Sequence, residues 1–257
     1  MVRSLRTGTC GKDQGGQRRA ALLTALLLAA ASLSATGCTQ LMAQGQNAEG
    51  VRLLQQGYAQ GAIDRFQRAI ATDPVNPDSY YNLAAAYHQQ GRATQNATDL
   101  REAEQFYNQC LDYEPNHRDC HRGLAVLLVE DGRDEEAFRL LEGWTERSPA
   151  NVEAKIELAR LWDEFEDHES AKDQLQQALA IDPYNARATA ALGRIYEEKG
   201  EHEQALAVYA RSMERNKLQP EVAARIASIK AAFGPSPLST PAGSTRTVVT
   251  PRTSTIR

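Results

Sequence analysis

Four side chains within twelve residues, Cys110, His117, Cys120 and His121, could hold a soft metal ion or form a redox pair. Thiolate and imidazole are the ligands zinc takes, but zinc sites usually announce themselves by close pairs such as CxxC, and none occurs here. The spacing leaves three readings open: burial as packing residues, a candidate disulfide between Cys110 and Cys120, and metal binding. No metal is assigned from the sequence. Other fragments imitate catalytic motifs and fall short. "GTCGKDQGG" at residues 8–16 lacks the GxxxxGK spacing that cradles phosphates, and His202-Glu203 has Leu206 where HExxH needs a second histidine. No GxSxG occurs. No catalytic residue and no cofactor is expected.

What positions these residues is a chain of 257, 42% hydrophobic but only 6% aromatic, and rich in Ala, Leu, Gln, Glu and Arg through its middle. That mixture favours helix over sheet. The net charge of -4 is unevenly spread: the first 37 residues carry +4 and the last 23 carry +3, so the body between them carries -11. So negative a body argues against nucleic acid, whose phosphates require a basic stripe, and nucleic acid is not an expected partner.

The N-terminus reads as an export signal. Arg18-Arg19 precede an apolar run from Ala20 to Leu33 and then small residues. The run is shorter than the roughly 20 residues a membrane span needs. A buried core helix is the competing reading. The exit, Ala35-Thr36-Gly37-Cys38, resembles the lipobox of bacterial lipoproteins. That resemblance implies a signal peptide over 1–37, a lipid on Cys38 and a short linker over 38–42. It implies attachment to a membrane of the bacterial cell envelope, on the periplasmic side. Ala35 stands where the lipobox usually has Leu, so ordinary cleavage to a soluble periplasmic product is the alternative.

The body repeats itself. Pro74, Pro115, Pro149 and Pro183 are 41, 34 and 34 residues apart. Aligned on them, Ala62, Ala103, Ala137, Ala171 and Ala205 form a small column. Phe66, Tyr107, Leu141, Leu175 and Tyr209 form a large one. Apolar residues recur at three- and four-residue spacing in two blocks per unit, broken at Gly57, Gly91, Gly132 and Gly200, which predicts two antiparallel helices in each. The prolines end second helices, and Asn76, Asn151 and Asn185 are placed to cap the helices that follow. One unit carries seven extra residues, "RATQNAT" (92–98), after which Asp99 with Glu102 offers a cap.

This pattern resembles the tetratricopeptide repeat (TPR). The resemblance implies an all-α, right-handed TPR solenoid of five helix-turn-helix repeats over 43–219, divided as 43–76, 77–117, 118–151, 152–185 and 186–219. A capping helix is expected over 220–234, because the last unit's apolar face needs cover. A Pro/Ser/Thr-rich basic tail over 235–257 has too little apolar surface to fold.

In this family the first helix of each unit lines a concave groove. Carried onto this chain, the partner-binding places include Val51, Leu54, Tyr81, His88, Arg122, Ile156, Arg160, Arg187 and Arg194. A carboxylate clamp known in chaperone-binding members is missing, since Val51, Asp119 and Gly123 fill its places. The expected function is a non-enzymatic scaffold or adaptor, held at the envelope by its lipid and binding a peptide or helix segment of a protein partner. A pilotin-like assembly factor for type IV pili or secretion is one form this could take. A metal-dependent enzyme using the Cys110–His121 cluster is the alternative of a different class.

Overall fold

A computed structural model describes residues 39–215 and 218–233. The signal segment, Cys38 and the tail lie outside the described residues. The described chain is a succession of helices: α1 over 39–55, α2 Ala59–Thr72, α3 Pro77–Thr94, α4 Ala97–Tyr113, α5 Arg118–Glu130 and α6 Asp134–Arg147. After these come α7 Val152–Glu164, α8 His168–Ile181, α9 Ala186–Glu198, α10 His202–Arg215 and α11 Pro220–Phe233. No strand occurs among the described residues. The fold is all-α, of the TPR solenoid class. Two compact units divide within α7, Met1–Leu158 and Ala159–Arg257. Residues 39–42, expected as a linker, are already helical.

The alternation of small and large columns explains the pairing. Every alanine of the small column is fully buried, and Phe66, Tyr107, Leu141, Leu175 and Tyr209 of the large one are at most 3% exposed. Small residues let two helices approach, and the large ring or branch fills the space beside the crossing. Where the large residue is an aromatic, glycine faces it. A Cβ on Gly50 would stand 2.4 Å from the Phe66 ring, and one on Gly193 would stand 2.3 Å from Tyr209. In the second unit Ala205 and Tyr209 are covered by Val222 and Ile229 of α11, the helix expected to cap the array.

The turns follow the same economy, with one departure. Gly57, Gly132 and Gly200 take positive φ between paired helices. Glu166 does so at the same column, with φ 61°, in a region an L-residue enters at a cost of roughly 1 kcal/mol. Gly91 does not. It lies inside α3, buried, with Leu100 so near that an added Cβ would meet its side chain at 2.8 Å and its backbone nitrogen at 3.0 Å.

The seven extra residues therefore lengthen the helices instead of forming a loop. α3 has 18 residues and α4 has 17, against 13 for α5, α7 and α9 and 14 for α6, α8 and α10. At 1.5 Å per residue α3 overhangs by about 7 Å. The chain reverses at Gln95, φ 53°, and α4 is capped by Asn96, whose side chain accepts from Thr98 N at 2.9 Å. The expected cap at Asp99 is corrected. That carboxylate is buried inside α4 and accepts from Gln90 Nε2 at 3.1 Å.

Candidate functional site

The overhang builds a cleft. Where α3 and α4 run past the end of α5, they enclose about 880 Å³ over a floor that includes Leu100 and Leu127. Its charged groups are mostly paired off. Glu130 takes His88 Nε2 at 3.0 Å and Arg92 Nη1 at 3.1 Å, which ties the end of α5 to α3. Arg133 makes a two-pronged contact with Glu104, at 2.8 and 2.9 Å, and a second with Glu136. Those carboxylates hold the Arg133 guanidinium well above its ordinary pKa range, so its charge is permanent. Arg101 differs: its donors go to Ala97 O and Thr98 Oγ1, and among the described residues it has no carboxylate partner. An apolar floor with a spare guanidinium at its rim suits a protein segment carrying an apolar anchor and an acid.

The groove places expected from the repeat register behave differently. In the first unit Leu54 packs against the core of Ala62, Phe66 and Leu83, while Val51 is 37% exposed. Tyr81 is half-buried among Tyr107 and the His117 ring. Burial, and then the Asp119 carboxylate, push its phenol above the usual range. Ile156 is 5% exposed and offers a partner little surface, while His88, 7% exposed, faces the cleft rather than an open groove. Arg122 lies 3.9 Å from Glu157, a carboxylate with no exposed surface, and Arg118 reaches both Asp119 at 2.8 Å and Glu153 at 4.0 Å. In the second unit Asp163 receives Arg194 and sits 3.0 Å from His168 Nδ1. Arg160 contacts Glu164 at 3.2 Å, and Arg187 is half-buried in the first turn of α9. Several charges that looked available for a partner are thus paired within the chain, Arg160 along its own helix and Arg118, Arg122 and Arg194 also across to another helix. Spacing within one helix reveals only the first kind.

The cluster at the α4–α5 junction takes a definite form. Cys110 and Cys120, both fully buried, are joined by a disulfide with their Cα atoms 6.5 Å apart. His117 caps α5, its Nδ1 accepting from Cys120 N at 3.2 Å. It stands two residues after Pro115, in the column that supplies Asn76, Asn151 and Asn185, so its capping role was open to recognition from spacing. Asn151 and Asn185 do cap their helices, through Glu153 N at 3.0 Å and Arg187 N at 3.1 Å, whereas Asn76 makes no side-chain cap. His121 is buried flat against Trp144, ring centroids 4.0 Å apart, and gives Nε2–H to Pro115 O. Burial is the main cause that lowers its pKa to about 4. Cys38 lies outside the described residues.

Comparison with known proteins agrees with this geometry. A family model described as TPR repeat matches residues 50–91, and one described as Tetratricopeptide repeat matches 97–153 and 164–229. The break between them falls in the turn of the lengthened pair. No curated protein matches the chain significantly. Among solved structures, a thermophilic TPR protein of Thermus thermophilus, TTC0263, is 22% identical with a TM-score of 0.54, over 74% of this chain and 99% of that one. A tetratricopeptide repeat protein from Parabacteroides merdae ATCC 43184 is 16% identical, TM-score 0.49, over 76% and 74%. MamA 41-end from Desulfovibrio magneticus RS-1 is 21% identical, TM-score 0.45, over 69% and 97%. With two family models together matching well over half of its length, the chain belongs to the tetratricopeptide-repeat family.

Proposed function

We propose that this protein is a scaffold that holds a segment of a partner protein in the cleft beside α3 and α4. TPR proteins are generally non-catalytic and bind peptides or proteins. The observation that carries the reading is the lengthening of both helices of one pair, which turns a uniform stack into one with a walled recess. The segment supplies an apolar side chain to Leu100 and Leu127 and an acid to Arg101. Exposed pairs along the groove contribute register more than affinity. The scaffold is exported and attached to the envelope membrane by lipid on Cys38. The signal segment and the lipobox-like exit support this, as does the disulfide, since such bonds persist in oxidising compartments. One acyl chain binds only marginally, so multiple acylation is expected.

A photo-crosslinker placed at Leu100 in cells, followed by mass spectrometry, reads the occupant. One dominant protein adduct is expected, and Arg101→Glu should reduce it at least tenfold. An adduct that persists undiminished in Arg101→Glu would remove the cleft from consideration. Cys38→Ser should abolish acyl labelling of the exported protein. Wild-type protein found without lipid in the soluble fraction would overturn the anchor alone.

A further inference from the structure

We propose that Cys110, His117 and Cys120 form a zinc site when the bond between the cysteines is reduced. Their ligand atoms already lie within 4.8 Å of one another. Around a tetrahedral zinc, with bonds of about 2.0–2.3 Å, ligand atoms stand roughly 3.3–3.8 Å apart, so small side-chain movements suffice. The histidine is set up for the task. Because Nδ1 accepts from the backbone N–H of Cys120, the proton of the neutral ring is on Nε2, where it donates to Asp78 Oδ1 at 3.1 Å. A carboxylate fixing the far nitrogen is the arrangement that orients imidazole ligands, and the near lone pair, held here by Cys120 N–H, is the one a metal would take. Cys120 lies in the first turn of α5, where the helix N-terminus favours a thiolate.

The chemistry balances. A dithiol reductant gives two electrons and two protons to the Cys110–Cys120 bond, becoming a disulfide itself and leaving two thiols. Zn2+ then displaces both thiol protons and takes the Nδ1 lone pair. The products are a neutral dithiolate–zinc unit and two released protons. The backbone cap at Cys120 N is given up in exchange. Either state pins α4 to α5, by a covalent bond when oxidised and by coordination when reduced.

The test uses the full chain with Cys10→Ser and Cys38→Ser, so that no other thiol takes part. Reduced protein, freed of reductant without oxygen, is titrated with Zn2+ against a chromophoric chelator. One zinc per chain is expected when reduced and none when oxidised. His117→Ala should weaken binding at least tenfold, and Asp78→Asn about tenfold, since it removes only the orienting carboxylate. If reduction loosens the fold, Zn2+ added before the reductant should hold the melting temperature near its oxidised value. Folded, reduced protein that takes up no zinc overturns the proposal. So does uptake unaffected by His117→Ala, or a reduced chain that zinc fails to hold folded.

Discussion

The pairs α3–α4 and α9–α10 are built on the same columns and solve the same packing problem at different lengths. In α9–α10 the chain turns at Gly200, five residues before the buried Ala205, and the helices close where Gly193 meets Tyr209. In α3–α4 the residue at the turn column, Gly91, is passed over, and α3 continues to Thr94. The glycine is kept for another purpose, the close approach of Leu100. Repeat registers therefore constrain the crossing of two helices and leave their outer ends free. A recess can be added at an end without disturbing the stack.

The contrast can be tested first with acid. His121, in α5, has its pKa lowered to about 4 from an ordinary 6.5, so the unfolded chain binds the proton first as pH falls. Stability held above pH 6.5 is lost progressively toward pH 4, by on the order of 2–3 kcal/mol. Thr189 holds the same column in α9 and has nothing to titrate. Hydrogen exchange should accordingly show acid loosening around α5 before α9, and His121→Phe should flatten the slope. Equal loosening of both would contradict the assignment.

Next come the crossings. Gly91→Val and Gly193→Val should each destabilise by about 1–3 kcal/mol, outweighing a few tenths gained from helix propensity. Denaturant melts with unchanged m-values would check this. A neutral Gly91→Val would mean that the long pair does not close at this point.

Smaller effects belong to the turns. Glu166→Gly and Gln95→Gly relieve left-handed backbone in a regular and a lengthened pair respectively, and each should stabilise by about 0.5 kcal/mol. A small change in stability is expected even for the largest edit. Deleting Arg92–Thr98 restores the five-residue spacing between Gly91 and Ala103, and the melting temperature should move by only a few degrees. A collapsed fold would show that the added turns are structural and that the recess is secondary.

Much of this architecture was legible because buried columns repeat. The alanines at 62, 103, 137, 171 and 205 can be read from a single chain, since close helix contact admits only small residues. The fate of "RATQNAT" could not be read that way. Its residues are tolerable in helix or loop, and what decides is the contact of Leu100 with Gly91. The pairing of the groove charges could not be read for a related reason. Asp163 and Arg194 lie 31 positions apart, so their union depends on how helices stack. His117 falls in the asparagine column, so its capping role is readable from position alone.

Stacked pairs that touch only their neighbours come apart like a zipper, from an end inward. The Cys110–Cys120 bond is a stitch across that zipper, joining α4 to α5 between the long pair and the one that follows. Peeling that begins at α1 can run through α2 and α3 and must halt at residue 110, because α4 cannot leave without α5. Fraying from the N-terminal end should therefore arrive as two steps, and reducing the bond should merge them into one.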